Sequence, residues 1–164
     1  MGGSINSGLQ VVGETQTAKL KFNDHLVDGL VEKAAAMRPL LEQNAATHEA
    51  IGELTPEVVA ALKEAGIWKM AAPERVGGLA ISSKGQCKVI AELAKGCPST
   101  SWTSSIINSC VWLASAMSFE MQDYMFADGV PAVCSPTNGS GTLAPHGDHF
   151  ILNGRWSYLS LIHI

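Results

Sequence analysis

The chain has 164 residues and a formal net charge of −4, with 46% hydrophobic and 16% charged residues. This composition is typical of a folded globular protein and excludes a disordered, collagen-like or disulfide-stapled chain. The 11 basic residues are scattered along the sequence, so nucleic acid is not an expected partner.

The cysteines and the N-terminal residues both indicate a cellular compartment. Cys87, Cys97, Cys110 and Cys134 form neither a CxxC pair nor a metal-ligand spacing with histidine. Free thiols of this kind suit a reducing environment. The N-terminus lacks a basic region followed by an apolar run, and no apolar stretch approaches the about 20 residues of a membrane span. We therefore expect a cytoplasmic protein with no membrane partner and no metal site.

The N-terminal part of the sequence predicts a tail and two helices. Residues 1–22 are rich in Gly, Ser, Thr and Gln and are predicted to form a flexible tail. Apolar residues then recur every three or four positions, which predicts a helix over about 24–46, capped by Asn23 or Asp24. A second helix is predicted from Thr55-Pro56-Glu57 to Gly66, because a hydroxyl, a proline and a carboxylate each favour a helix start.

Three further helices are predicted after a loop with the sequence APERVGGLAIS. Capping hydroxyls indicate where these helices begin: Ser82 or Ser83, then Ser99 or Thr100, then Ser118. The first of these three helices is predicted to end at Gly96 and Pro98, and the last at Asp128 and Gly129. The fourth helix of the chain is apolar on almost every face, so we expect it to be central and buried.

The composition changes after Gly129, where only Asp148 and Arg155 are charged. The runs PAVCSP, HFILN and RWSYLS, with a turn-rich NGSGT after the first, predict an antiparallel meander. About 35 residues of strand do not close a sheet around its own core. Residues 129–164 are therefore expected to be the opening of an incomplete β-domain.

The last six residues, LSLIHI, suggest a reason for that incompleteness. They are what the codons CTG-TCT-CTT-ATA-CAC-ATC encode, and these codons match the end sequence of a transposase used to prepare sequencing libraries. We therefore expect that residues 159–164 derive from a library adapter, and a natural short hydrophobic C-terminus is the alternative.

Taken without any family, the residues that carry chemistry give weak signals. His146 and His149 flank Gly-Asp, a hairpin signal, and their spacing is expected to put them on no shared strand face. The segment 138–141 (NGSG) permits a phosphate cradle of backbone N–H groups, but it is equally a plain turn. Cys110 is expected to be an inert buried thiol. The tryptophans expected in the core are Trp102, Trp112 and Trp156.

Four segments in order carry a more specific signal: ERVGGLAIS, VIAELAKGCPSTSW, AVCSPTNGSG and ILNGRWSYLS. Their order and context resemble the acyl-CoA dehydrogenase superfamily over about residues 24–160, and within it the two-component flavin-dependent monooxygenases that hydroxylate aromatic compounds. The resemblance implies a mainly α fold. An N-terminal helical domain (23–128) would be followed by the first strands of a truncated middle antiparallel β-barrel domain (129–164).

The resemblance also implies a flavin site, for FAD or FMN. Small and hydroxyl residues would lie beside the flavin and its phosphates, and an aromatic residue and a serine would cover its ring. The matching cofactor-binding positions are Trp102, Val133, Cys134, Ser135, Gly139, Ser140, Tyr158 and Ser160. Ser135 and Ser160 match the two serines near the reactive edge of the flavin. Trp102 and Cys110 match the substrate pocket, and some members hold a histidine at the Cys110 position, where it assists the phenolate of the substrate.

The activity implied is hydroxylation of a small phenol-like substrate by reduced flavin and dioxygen. A separate reductase would supply the flavin, and the complete protein would be a homotetramer. Ser135 stands where the dehydrogenases have glutamate, and Gly141 where they have aspartate, which favours the monooxygenases. Two alternatives stay open: an FAD-dependent acyl-CoA dehydrogenase, whose carboxylate base would lie outside this chain, and a cofactor-free helical interaction module.

Overall fold

A computed structural model describes residues 21–135 and 141–156, in which helices precede a single β-hairpin. The helices are α1 (Val27–Ala36), α2 (Arg38–Ile51), α3 (Pro56–Glu64), α4 (Ser83–Ala94), α5 (Pro98–Ser115) and α6 (Phe119–Met125). The antiparallel strands are β1 (Gly141–His146) and β2 (His149–Gly154). This architecture confirms the predicted fold class. Within the two described ranges, every helix is too short or too polar to cross a membrane.

The single helix predicted over 24–46 is wrong, because this segment forms both α1 and α2. Pro39 lies in the first turn of α2 and has no N–H to donate to the preceding turn, so the helix breaks before it. Beyond the break, α2 continues past the predicted end to Ile51. Gly52 then ends the helix with a left-handed backbone (φ 77°), which glycine adopts at little cost.

Of the caps predicted for the last three helices, two are confirmed and one is wrong. The hydroxyls of Ser82 and Ser118 accept backbone N–H bonds of 3.2 and 3.3 Å at the starts of α4 and α6. In contrast, α5 begins at Pro98, before both predicted caps, Ser99 and Thr100. A proline suits the first helical position because the N–H that it lacks would have no partner there.

The apolar core lies where the first five helices meet. Its fully buried members include Leu41, Val58, Leu62, Val89, Leu93 and Val111. Helix α5 packs against α2, α4 and α6 and is central, as predicted. The expectation that it is buried on nearly every face is wrong, because Trp102 and Trp112 are each 63% exposed and Asn108 and Ser104 lie on the buried face.

A buried polar network joins α2, the start of α3 and the start of α5. Thr55 precedes α3, but its hydroxyl does not cap the helix: it donates to Oδ1 of Asn44 at 2.9 Å. Nε2 of His48 lies 3.3 Å from the same hydroxyl, and Nδ1 of His48 lies 3.7 Å from Sγ of Cys97. These contacts satisfy buried polar groups that would otherwise destabilise the fold.

Because of this network, we expect the stability of the fold to fall in mild acid. Burial lowers the pKa of His48, and the Glu57 carboxylate opposes that shift. The folded protein therefore holds His48 neutral at pH values where the unfolded chain takes up a proton. The stabilisation is complete above about pH 6.5 and is lost as the pH falls toward the lower folded pKa. Urea unfolding between pH 8 and pH 5 measures the loss.

A non-titrating variant separates this effect from general acid destabilisation. His48→Gln is expected to lose less stability than the wild type over the same pH interval, although it starts from a lower value. His25→Gln, at an exposed histidine, is the matched control and should follow the wild type. If His48→Gln and the wild type lose stability equally, the network is not the source of the pH dependence.

The antiparallel meander predicted after Gly129 is confirmed in part. The HFILN run lies within β2, as predicted, whereas residues 131–135 of PAVCSP have no regular secondary structure. β1 begins at Gly141, inside the predicted NGSGT turn. Cross-strand pairs Leu143–Leu152 and Pro145–Phe150 share one face of the hairpin, and both strands are exposed along their length.

Candidate functional site

A folded-back loop between α3 and α4 builds one wall of the candidate site. Its two arms are joined by backbone hydrogen bonds from Ile81 N–H to the Met70 carbonyl (2.8 Å) and from Ala80 N–H to the Ala72 carbonyl (2.9 Å). At the turn, Gly78 lies so close to the other arm that an added Cβ would be 2.1 Å from the Ala72 oxygen. The loop therefore delivers the start of α4 to a fixed position beside α5.

Asn108 ties this loop to α5. Its Nδ2 donates to the carbonyl oxygens of Ile67 and Ser104, both at 2.9 Å, and its Oδ1 accepts the N–H of Ala71 at 3.1 Å. The side chain is only 2% exposed. Asn108 was not predicted as a site residue, although an asparagine within an otherwise apolar helix is a recognisable signal, because a buried amide requires several partners.

A groove of about 460 Å³ lies between α4, α5 and the segment that follows α6. Its lining residues are Ser83, Gln86, Asn108, Ser109, Cys110, Trp112, Leu113 and Ser135. None of these residues is acidic or basic. The groove brings together two of the predicted site residues, Cys110 and Ser135, which are 25 positions apart in the sequence.

The Cys110 thiol is held in its neutral form. Burial raises its pKa, the hydrogen bond from the Ser135 backbone N–H acts in the opposite direction, and the neighbouring Cys134 raises the pKa further. A thiol with a raised pKa stays protonated at neutral pH and is a poor nucleophile and a poor base. Cys110 therefore shapes the groove, and the prediction of an inert thiol agrees with its surroundings.

The other predicted site residues are placed differently. Trp102 lies two turns before Cys110 on α5, about 12 Å along the axis, and is not among the lining residues. Val133 packs against the core, and Cys134 is half-buried next to Cys110. The remaining predicted site residues lie outside the described residues: Gly139, Ser140, Tyr158 and Ser160.

The expectation that His146 and His149 share no strand face is wrong. The register pairs them directly across the hairpin, with ring centroids 5.1 Å apart. A two-residue turn places its flanking residues opposite each other, so a spacing of three brings them to the same face. Nδ1 of His149 lies 2.9 Å from Oδ1 of Asp148, a contact that lowers the pKa of that carboxyl. Among the described residues, no group of three or more ligand-type side chains forms a metal site.

Comparison with known families identifies the class of protein to which this helical fold belongs. The model of the acyl-CoA dehydrogenase N-terminal domain matches residues 31–126, so the chain belongs to this family. The described fold and the family match together confirm the resemblance noted in the sequence.

Several relatives of the chain are flavin-dependent oxygenases. It is 25% identical over 133 residues to the oxygenase subunit HsaA of a flavin-dependent monooxygenase from Rhodococcus jostii, covering 79% of this chain and 34% of that protein. It is 26% identical to the oxygenase component of p-hydroxyphenylacetate 3-hydroxylase from Acinetobacter baumannii, covering 80% and 31%. The structure of XiaF from Streptomyces sp., in complex with FADH2 and glycerol, superposes with a TM-score of 0.78 at 26% identity, covering 82% and 34%. The chain thus spans about a third of the length of these relatives.

Proposed function

We propose that the chain is the N-terminal part of the oxygenase component of a two-component flavin-dependent monooxygenase. The complete protein would hydroxylate a small aromatic substrate with dioxygen and reduced FAD or FMN, supplied by a separate reductase. The observation that carries this proposal is the uncharged groove that joins Cys110 to Ser135. Its support is the similarity to monooxygenases and hydroxylases whose names specify aromatic substrates.

The residues of the groove suit a flavin and an aromatic ring. Isoalloxazine is flat and amphipathic, so it needs apolar faces together with hydroxyl or amide groups for its polar rim. Trp112 and Leu113 supply apolar surface, and Ser83 and Ser135 supply polar groups. When bound, reduced flavin supplies the electrons that activate dioxygen. Ser135 would hold the rim of the flavin, in keeping with its predicted role.

Other described residues of the groove would exclude water and limit its size. Trp112 and Leu113 would keep water from the reacting atoms, because an activated oxygen species is easily lost to water. Cys110 would limit the depth of the groove without exchanging a proton. Among the described residues that line the groove, no side chain is a base at neutral pH. Any proton taken from a phenol would therefore pass to the solvent or to a group in the remainder of the complete protein.

The test of this function uses the full-length protein with chemically reduced FAD or FMN, dioxygen and a panel of phenols. We expect oxygen consumption together with a product heavier by one oxygen atom, measured by mass spectrometry. Bleaching of oxidised flavin by an acyl-CoA thioester, without hydroxylation of any phenol, would overturn the proposal in favour of an acyl-CoA dehydrogenase. We further propose a cytoplasmic homo-oligomer, which sedimentation and cell fractionation test.

A further inference from the structure

A second cavity continues the groove beyond Trp112. It has a volume of about 350 Å³ and shares Ser83, Gln86 and Trp112 with the first. Its far wall is the folded-back loop, through residues that include Pro73 and Ala80. The two cavities therefore adjoin along a shared wall, and Cys110 and Ser135 line only the first of them. Together they offer space for a molecule larger than one phenol ring.

Gln86 lies where the two cavities meet, and its amide has a fixed orientation. Its Nε2 donates to the carbonyl oxygen of Ile81 at 2.8 Å, so Oε1 is turned away from that carbonyl. Within residues 21–135 and 141–156, Oε1 has no hydrogen-bonding partner. The side chain is half-buried. A half-buried acceptor in a fixed orientation suits a ligand that brings a donor to that position.

Charge at the junction favours a neutral donor group. Ser83, Gln86 and Trp112 are uncharged, and the charged residues of the second cavity lie elsewhere on its wall. Arg75 is occupied by Asp123 and Gln122, at 2.5 and 2.7 Å.

Two other charged residues, Glu74 and Lys21, line the second cavity. Glu74 accepts a hydrogen bond of 2.8 Å from Asn23, and Lys21 is exposed. A hydroxyl or N–H group is thus better matched to the junction than a carboxylate or an ammonium.

We propose that Gln86 is a specificity-determining residue. It accepts a hydrogen bond from a hydroxyl or N–H group on the part of an elongated, neutral aromatic substrate that lies away from the reacting ring. This inference rests on the proposed hydroxylase function, and it adds the class of substrate to it.

The test compares two probes on the full-length protein with reduced flavin: 2,6-dihydroxynaphthalene and 6-methoxy-2-naphthol. Both carry a phenol, but only the first brings a second hydroxyl donor. We expect the wild type to have a higher kcat/KM for the diol. Gln86→Met keeps the length of the side chain and should reduce this preference about fivefold, the value of one neutral hydrogen bond.

The outcomes separate the two proposals. Gln43→Leu, at an exposed glutamine on α2, is the control and should leave both kcat/KM values unchanged. If the wild type hydroxylates both naphthols but shows no preference, or if Gln86→Met keeps the preference, the role of Gln86 is overturned while the hydroxylase function stands. If the wild type hydroxylates neither probe nor any other phenol, the proposed function fails, and the role of Gln86 fails with it.

Discussion

Replacing Gly78 with alanine is expected to destabilise the fold by about 3 kcal/mol, at the upper end of the range for overpacking. The reason is a clash with backbone atoms, because an added Cβ would lie 2.1 Å from the oxygen and 2.3 Å from the carbonyl carbon of Ala72. Backbone in a paired loop does not move aside as a long side chain does. Urea unfolding followed by circular dichroism measures the change.

The neighbouring Gly77 provides a matched control. It has a positive φ of 82°, but an added Cβ would meet no atom within 4 Å. Gly77→Ala should therefore cost only the strain of a left-handed alanine, about 1 kcal/mol. Equal losses for the two variants would show that the close approach to Ala72 adds no cost at Gly78.

The same substitution is expected to disturb the groove. The folded-back loop positions Ser83 and Gln86, so a displaced turn at Gly78 would move the wall that both cavities share. If the proposed function is correct, Gly78→Ala in the full-length protein should raise the KM for the phenol more than Gly77→Ala does.

Local signals in the sequence predict the ends of several elements but not their interruptions. The hydroxyls of Ser82 and Ser118 act within one helical turn, so their capping roles are readable from neighbouring residues. Pro39 is also recognisable in the sequence as a helix breaker. Because the apolar residues recur at helical spacing on both sides of it, the segment was predicted as one helix.

Contacts between distant segments are less accessible to sequence reasoning. Thr55 is of a residue type that often caps helices. Its hydroxyl instead bonds to Asn44, because the buried side-chain amide of Asn44 on α2 competes for this hydroxyl. Trp102 and Trp112 are expected in the core by size alone, but both are exposed on α5.

The candidate site was also only partly predictable from the sequence. The juxtaposition of Cys110 and Ser135 was expected only through the family resemblance, because no local pattern relates residues so far apart. Gln86 and Asn108 were not identified, since their roles depend on partners in the folded-back loop. What the family pattern supplied is the location of the groove, and what the structure adds is its polarity and its extension.

If the proposed function is correct, replacing Cys110 with histidine should accelerate hydroxylation of a phenol by about 100-fold, the lower end of the range for a positioned general base. The wild-type thiol is protonated at neutral pH because burial raises its pKa. An imidazole has an unperturbed pKa of about 6.5, and burial would lower that value, so it would be neutral and able to accept a proton at pH 7. The groove of about 460 Å³ offers room for the larger ring.

Single-turnover kinetics of the full-length protein with reduced flavin, between pH 5 and pH 9, measure this gain. The Cys110→His rate should fall as the pH drops below the pKa of the imidazole, because the protonated ring no longer accepts a proton. Cys110→Ser matches the size of cysteine without adding a base and should remain within about twofold of the wild type, since neither side chain takes a proton at neutral pH. Equal rates and equal pH profiles for the histidine and serine variants would show that the phenol proton leaves by another route, and that Cys110 only limits the size of the groove.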